Sequence, residues 1–184
     1  MRRHGAEGLA FPSIVATGPN GASPHAIPGA TRLEAGQCVV LDFGARACGY
    51  CSDMTRTFVF GEPSEKLREV HDTVRRANEA ARKLVAPGVR FCDIDAAARS
   101  IIEEAGYGSY FTHRLGHQIG LDVHEPGDVS AAHDAPVQAG MVFSIEPGIY
   151  LPGEFGVRIE DLVLVTEDGC EVLNSYPREL VSIG

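Results

Sequence analysis

Apolar and polar positions alternate along five stretches of the chain, 11–17, 38–45, 49–60, 137–150 and 158–166. Each is rich in β-branched and aromatic residues and bounded by Gly or Pro, so each predicts a strand. Between the third and fourth stretches the period lengthens to that of a helix. Pro63-Ser64 opens it, Leu67, Val70, Val74, Ala77, Ala81 and Leu84 form its apolar stripe, and Pro87-Gly88 ends it. A second helix is expected from an Asp93 N-cap through Ile94, Ala97, Ala98, Ile101, Ile102 and Ala105, with Gly106 as its stop. Strands, then two helices, then strands again predict an α+β fold in which both helices pack on one face of a curved antiparallel sheet.

Several acids interrupt this pattern. Asp42 lies within Val39-Val40-Leu41-Asp42-Phe43, Glu146 closes Met141-Val142-Phe143-Ser144-Ile145, and Glu160 also stands in a run that favours burial. A buried carboxylate costs several kcal/mol unless a cation or strong donors compensate it. Solvent-facing positions on half-exposed strands are the simpler account of any one of them; the set is harder to explain that way. Asp53 follows Asp42 by 11 residues across a short Gly-bounded connection, a span that brings neighbouring antiparallel strands together. Glu146 and Glu160 are 14 apart, with Pro147-Gly148 and Pro152-Gly153 available for turning. Carboxylates so close raise one another's pKa unless divalent cations hold them ionised. Two strand pairs offering two acids each could clasp two ions.

Histidines add nitrogen ligands and proton carriers. His113 and His117 have i, i+4 spacing, which puts both on one face of an extended strand, and His124 follows closely. His124-Glu125 is not a helical zinc-protease motif, because Pro126-Gly127 break the helix and the second histidine is missing. Cys48-Gly-Tyr-Cys51 has redox or zinc spacing but no second pair, and the five cysteines read as reduced thiols.

Composition narrows the partners. The chain has 184 residues, enough for one domain with its own core, and a formal net charge of −9 without a basic run. Nucleic acid and anionic lipid are therefore not expected partners. No apolar run approaches the roughly 20 residues that cross a bilayer, and the amino end lacks the apolar segment of a secretory signal. A cytoplasmic address is the expectation.

Ordered fragments across nearly the whole chain resemble the pita-bread metallopeptidases, the family of methionine aminopeptidase, aminopeptidase P, prolidase and the metal-free creatinase. They are Gly18-Pro-Asn-Gly-Ala-Ser-Pro-His25, Asp42-Phe-Gly, Gly49-Tyr-Cys-Ser-Asp53-Met-Thr-Arg-Thr, Gly116-His117, Leu121-Asp-Val-His124-Glu, Ser144-Ile-Glu146-Pro-Gly-Ile-Tyr and Val157-Arg-Ile-Glu160-Asp. The resemblance implies a pita-bread fold over residues 1–184. It also implies metal ligands at Asp42, Asp53, His117, Glu146 and Glu160, with Asp53 and Glu160 shared between ions. The complete set favours the metal-dependent branches over creatinase. His25, His113 and His124 match the proline-specific branch, which is that of the Xaa-Pro dipeptidases and aminopeptidases. By this likeness two divalent ions, manganese favoured over cobalt, zinc or iron, are expected about 3.5–4 Å apart, sharing a water that they acidify to hydroxide. Glu146 is then the general base, His124 or His25 stabilises the oxyanion, and His113 and Arg158 position a short proline-containing peptide.

Two departures accompany the likeness. Gln118 stands where prolidases often carry glycine, which bears on pocket shape. Met1–His4 read like the tail of a helix, so the first helices of the catalytic domain are expected to be missing, as is a separate amino-terminal domain. An apolar face left open in this way predicts a homodimer. Alternatives are a catalytically silent binding module of the same fold and a metal-dependent hydrolase or lyase with a non-peptide substrate.

Overall fold

The computed structural model describes residues 1–184. Strands, two helices and strands again follow in the predicted order, but the strands number fourteen and several, such as Gly8–Leu9, Glu125–Val129, Cys170–Val172 and Val181–Ile183, lie outside the predicted stretches. The first strands are β1 (Gly8–Leu9), β2 (Ile14–Thr17), β3 (Cys38–Asp42), β4 (Ala45–Ala47), β5 (Tyr50–Cys51) and β6 (Thr55–Phe60). Helices α1 (Glu65–Leu84) and α2 (Phe91–Glu104) come next. They lead to β7 (Gly116–Gln118), β8 (Glu125–Val129), β9 (Val142–Ile145), β10 (Gly148–Leu151), β11 (Phe155–Arg158), β12 (Asp161–Val165), β13 (Cys170–Val172) and β14 (Val181–Ile183).

The single curved antiparallel sheet expected from the sequence is divided. One sheet has the order β14-β6-β3-β2, another β13-β12-β9-β7-β8, and two smaller ones are β1-β4-β5 and β10-β11. Every pairing is antiparallel except β14 on β6, which runs parallel. The predicted runs 38–45 and 137–150 each break near their acid. Phe43-Gly44 separate β3 from β4, and Glu146-Pro147 separate β9 from β10. Pro147 has no N–H to continue a ladder, so the strand ends where the carboxylate is needed.

Helix α1 begins as predicted, with the Ser64 hydroxyl accepting from the Leu67 N–H at 3.2 Å. Leu67, Val70, Val74, Ala77 and Ala81 are buried against the strands, each larger side chain contributing roughly 1.5–3 kcal/mol. Leu84, expected in the same stripe, is 39% exposed because the helix ends at that residue. The start of α2 also differs. Arg90 is its N-cap and Asp93 sits in the first turn, paired with the Arg90 guanidinium at 2.7 Å. No side-chain cap is required there, since the N–H groups of Phe91 and Cys92 donate to the carbonyls of Ala135 and His133. Residues 2–4 form a single 3-10 turn. Cys48 and Gly49, both at positive φ, turn the β4–β5 hairpin, and all five cysteines are free.

Candidate metal centre

Four strand ends converge on one spot. Asp42 is the last residue of β3 and lies opposite Thr55, the first of β6; Asp53 precedes Thr55 by two positions. Glu146 directly follows β9 and Glu160 directly precedes β12, with Ile145 opposite Asp161 in the ladder between them. The two halves are stitched by the Glu160 N–H donating to the Thr55 carbonyl at 3.1 Å. His117 comes from β7, which sits so close to β9 that a Cβ on Gly116 would meet the Ser144 carbonyl oxygen at 1.9 Å. Only glycine permits that approach, and it lets the His117 N–H reach the Ser144 hydroxyl at 3.0 Å.

Asp53, His117 and Glu160 are buried and offer ligand atoms that all lie within 4.8 Å of one another. The Nε2 atom of His117 is 3.8 Å from Asp53 Oδ2 and 3.5 Å from Glu146 Oε1. Asp42 joins them through the same pocket wall. Burial, and then the carboxylates of Asp42 and Glu146, push Asp53 up to about 8. Burial raises Glu146 to about 7, and burial followed by the neighbouring acids drives Glu160 well above the usual carboxylate range. His117 is held down at about 4 chiefly by burial, so its imidazole is neutral at pH 7 and available as a ligand.

Whether this centre fits divalent cations can be judged from its unsatisfied atoms. Asp42 Oδ1 and Asp53 Oδ1 are buried with no hydrogen-bond partner. Two orphaned carboxylate oxygens beside Glu146, Glu160 and a neutral imidazole form a hard, oxygen-rich donor set. Such a set is costly alone and suited to positive charge.

The surrounding side chains hold the acids in place. The Thr55 hydroxyl donates to Glu160 Oε2 at 2.6 Å and accepts from Arg158 Nε at 3.2 Å. Arg158 also donates to Asp42 Oδ2 at 2.6 Å, the Tyr150 hydroxyl at 2.9 Å and the Pro24 carbonyl at 3.0 Å. Four of its five donors are thus committed to protein atoms, and the side chain is nearly buried. Behind the centre, the wholly buried Asn78 of α1 donates to the carbonyls of Ile145 (3.0 Å) and Ile159 (3.4 Å), the residues immediately before Glu146 and Glu160. Asn174 likewise donates to the Asp53 carbonyl at 3.0 Å.

The histidines occupy different settings. His25 and His124 are exposed at the pocket mouth, the His124 ring packed edge-on against His117 with centroids 4.2 Å apart. His113 does not lie on the strand with His117, which begins only at Gly116, yet its ring enters the same pocket. Its Nδ1 faces the Arg114 carbonyl at 2.6 Å and its Nε2 the Tyr150 hydroxyl at 2.9 Å. Burial holds it at about 4, and these partners fit a neutral ring with the proton on Nδ1. The segment carrying it is tied to α2, where Arg99 pairs with buried Asp95 at 2.8 Å and donates to the carbonyls of Phe111 and His113. Tyr150, Asn78, Asn174 and the Asp95–Arg99 pair escape a reading of the sequence; only Tyr150, adjacent to the Glu146 motif, carried a local hint.

The pocket has a volume of about 670 Å³, and Phe11, Ile14 and Val123 contribute apolar side chains to its lining. Neither helix contributes to its lining. Compared with known proteins, residues 1–167 match the model of metallopeptidase family M24. The chain belongs to metallopeptidase family M24. Among its relatives, the putative dipeptidase YkvY of Bacillus subtilis is 46% identical over 181 residues, covering 98% of this chain and 50% of that protein. An X-Pro aminopeptidase from Thermotoga maritima superposes with a TM-score of 0.96 at 46% identity, covering 99% of this M24 chain and 52% of the other. A prolidase from Thermococcus sibiricus gives 0.97 and 47%, covering 98% and 49%. The fold is thus the pita-bread fold, and the chain spans about half the length of these M24 relatives.

Proposed function

We propose that this M24 chain supplies the catalytic centre for hydrolysing peptide bonds adjacent to proline in short peptides, with two divalent cations as cofactors. The observation that carries this reading is the pair of orphaned carboxylate oxygens, on Asp42 and Asp53, in a pocket whose lining also includes apolar side chains. Asp42, Asp53, His117, Glu146 and Glu160 would hold the cations, and the oxygen-rich set favours manganese, with cobalt, zinc and iron as other occupants. Bound there, the cations supply Lewis acidity toward the scissile carbonyl and acidify water.

The chain's own groups do the rest. Ser144 donates to Glu146 Oε1 at 3.1 Å, which leaves Oε2 as the atom that takes a proton from water and returns it to the departing amine. His124 and His25, exposed at the mouth, carry N–H groups that can meet the developing oxyanion. His113 has both ring nitrogens engaged and serves to shape and position rather than to shuttle protons. The apolar side chains of Phe11, Ile14 and Val123 in the lining suit a proline ring. The similarity to solved structures of an X-Pro aminopeptidase and a prolidase supports the same substrate class. Five free cysteines accord with a reducing, cytoplasmic setting.

Metal-reconstituted protein assayed on Xaa-Pro dipeptides and Xaa-Pro-Yaa tripeptides tests the proposal, with Asp53→Asn and His124→Ala as controls. Turnover lost in both variants is expected. Folded, metal-loaded protein that cleaves no proline peptide overturns the reading.

A further inference from the structure

The pocket contains acids in excess, so a peptide carboxylate entering it needs a cation that is not already spent. Arg158 is nearly saturated by Thr55, Tyr150, Pro24 and Asp42, as described above. Arg114 is different. Its side chain is 37% exposed and lines the metal-centre pocket, while also lining a second, open polar groove of about 610 Å³ next to it. His124 is the other residue the two cavities share. Arg114 therefore stands at their junction.

Its present partner occupies only one side of it. Arg114 Nη1 donates to Asp128 Oδ1, and that carboxylate is itself 47% exposed in the groove. Nε and Nη2 have no protein acceptor. A planar guanidinium with two adjacent donors free is the geometry that binds a carboxylate in bidentate fashion. The position is also anchored from behind: the Arg114 backbone carbonyl holds the His113 ring, and the Leu115 N–H donates to the Val129 carbonyl.

We propose that Arg114 is the specificity residue that receives the free α-carboxylate of a short peptide, with Asp128 as its resting partner that competes for the same guanidinium. The assignment rests on the peptidase reading given above and extends it: the site selects peptides whose carboxyl end lies within reach of the pocket–groove junction. Asp128 sets how tightly that end is held, because a neutral residue there releases Arg114 for the ligand.

Two measurements on metal-loaded protein decide it. For Ala-Pro, Arg114→Met is expected to raise KM by at least about ten-fold with kcat little changed, and Arg114→Lys to recover part of the loss. For the carboxyl-amidated peptide Ala-Pro-NH2 the same variants should leave KM unmoved. Asp128→Asn should lower KM for Ala-Pro alone. Independently of turnover, calorimetric titration should show L-proline binding about ten-fold tighter than prolinamide, a preference erased in Arg114→Met. Equal effects on free and amidated ligands, or none on either, overturn the assignment. If the unaltered protein cleaves no proline peptide, the peptidase reading falls while the proline against prolinamide titration still decides the role of Arg114.

Discussion

Replacing Asn78 with alanine should weaken both the fold and the metal centre, although its side chain touches no candidate ligand. The amide lies wholly buried on α1, and its Nδ2 donates to the carbonyls of Ile145 and Ile159 while its Oδ1 accepts from Arg82 Nε at 2.7 Å. Two neutral buried bonds at about 1 kcal/mol each, and one to a guanidinium at about 1.5 kcal/mol, sum to about 3.5 kcal/mol. Arg82 retains Asp161 at 3.6 Å, so the realised loss should be nearer 3 kcal/mol. Urea unfolding of the metal-free protein measures that directly, as a lowered midpoint with unchanged slope. The freed carbonyls immediately precede Glu146 and Glu160, so the two carboxylates lose their fixed direction. Chelator competition should then show metal affinity falling about ten-fold or more. An Asn78→Ala protein within about 0.5 kcal/mol of the original, with unchanged metal affinity, would refute the claim that α1 aims the two acids.

Further outcomes follow from the charges. With Asp53 raised to about 8, Glu146 to about 7 and Glu160 well above its usual range, the metal-free centre holds protons at pH 7 that divalent metal must displace. Titrating manganese into weakly buffered protein should release them, and a pH-indifferent titration would count against the coupled acid cluster. Because these folded-state values are raised, the acids favour the metal-free fold at low pH, and that contribution declines between about pH 4 and pH 8. His71 acts with the opposite sign. Burial, helped by Arg75, lowers it to about 4, so the unfolded chain binds the extra proton and stability is lost as pH falls from about 6.5 to about 4, by up to about 3 kcal/mol. His71→Gln should flatten the acid limb of a stability–pH curve. Asp161, buried between Arg56 at 2.8 Å and Arg178 at 2.6 Å, leaves those cations unpaired if truncated; Asp161→Ala should cost about 3–5 kcal/mol in denaturant unfolding. Tyr150→Phe removes the hydroxyl between His113 and Arg158, and kcat/KM on proline peptides should drop about ten-fold while the fold persists.

Much of the centre was legible because its acids contradict their surroundings. Asp42, Glu146 and Glu160 interrupt runs that periodicity assigns to strands, and the structure puts each at a strand end, in one place with Asp53 and His117. The helices were equally plain, since α1 has both a Ser64 cap and an apolar stripe. What could not be read depends on pairings between distant segments. Asn78 meets carbonyls 67 and 81 positions away, and nothing local marks an asparagine in a helix as a strut. The start of α2 was misplaced for a related reason: the Ala135 and His133 carbonyls, remote in sequence, replace the side-chain cap that Asp93 was expected to provide. The parallel seat of β14 on β6 likewise lies beyond hydrophobic alternation, which says which face is buried but not which strand is the neighbour. Arg158 looked like a substrate clamp from its position beside Glu160, and only its hydrogen bonds reveal how few donors it has left.

His25 and His124 stand apart from the strand-borne acids in one respect. Residues 23–37 form neither helix nor strand, and His124 lies in the bend just before β8. Asp42 and His117 lie within strands and Glu146 and Glu160 directly abut them, whereas the two mouth imidazoles ride on the connections 23–37 and 119–124, whose sequence the sheets do not dictate. Variation in which ligand enters therefore has a natural location: exchanges at the positions flanking His25 and His124 can reshape the pocket mouth while these two imidazoles and the strand-anchored acids stay in place.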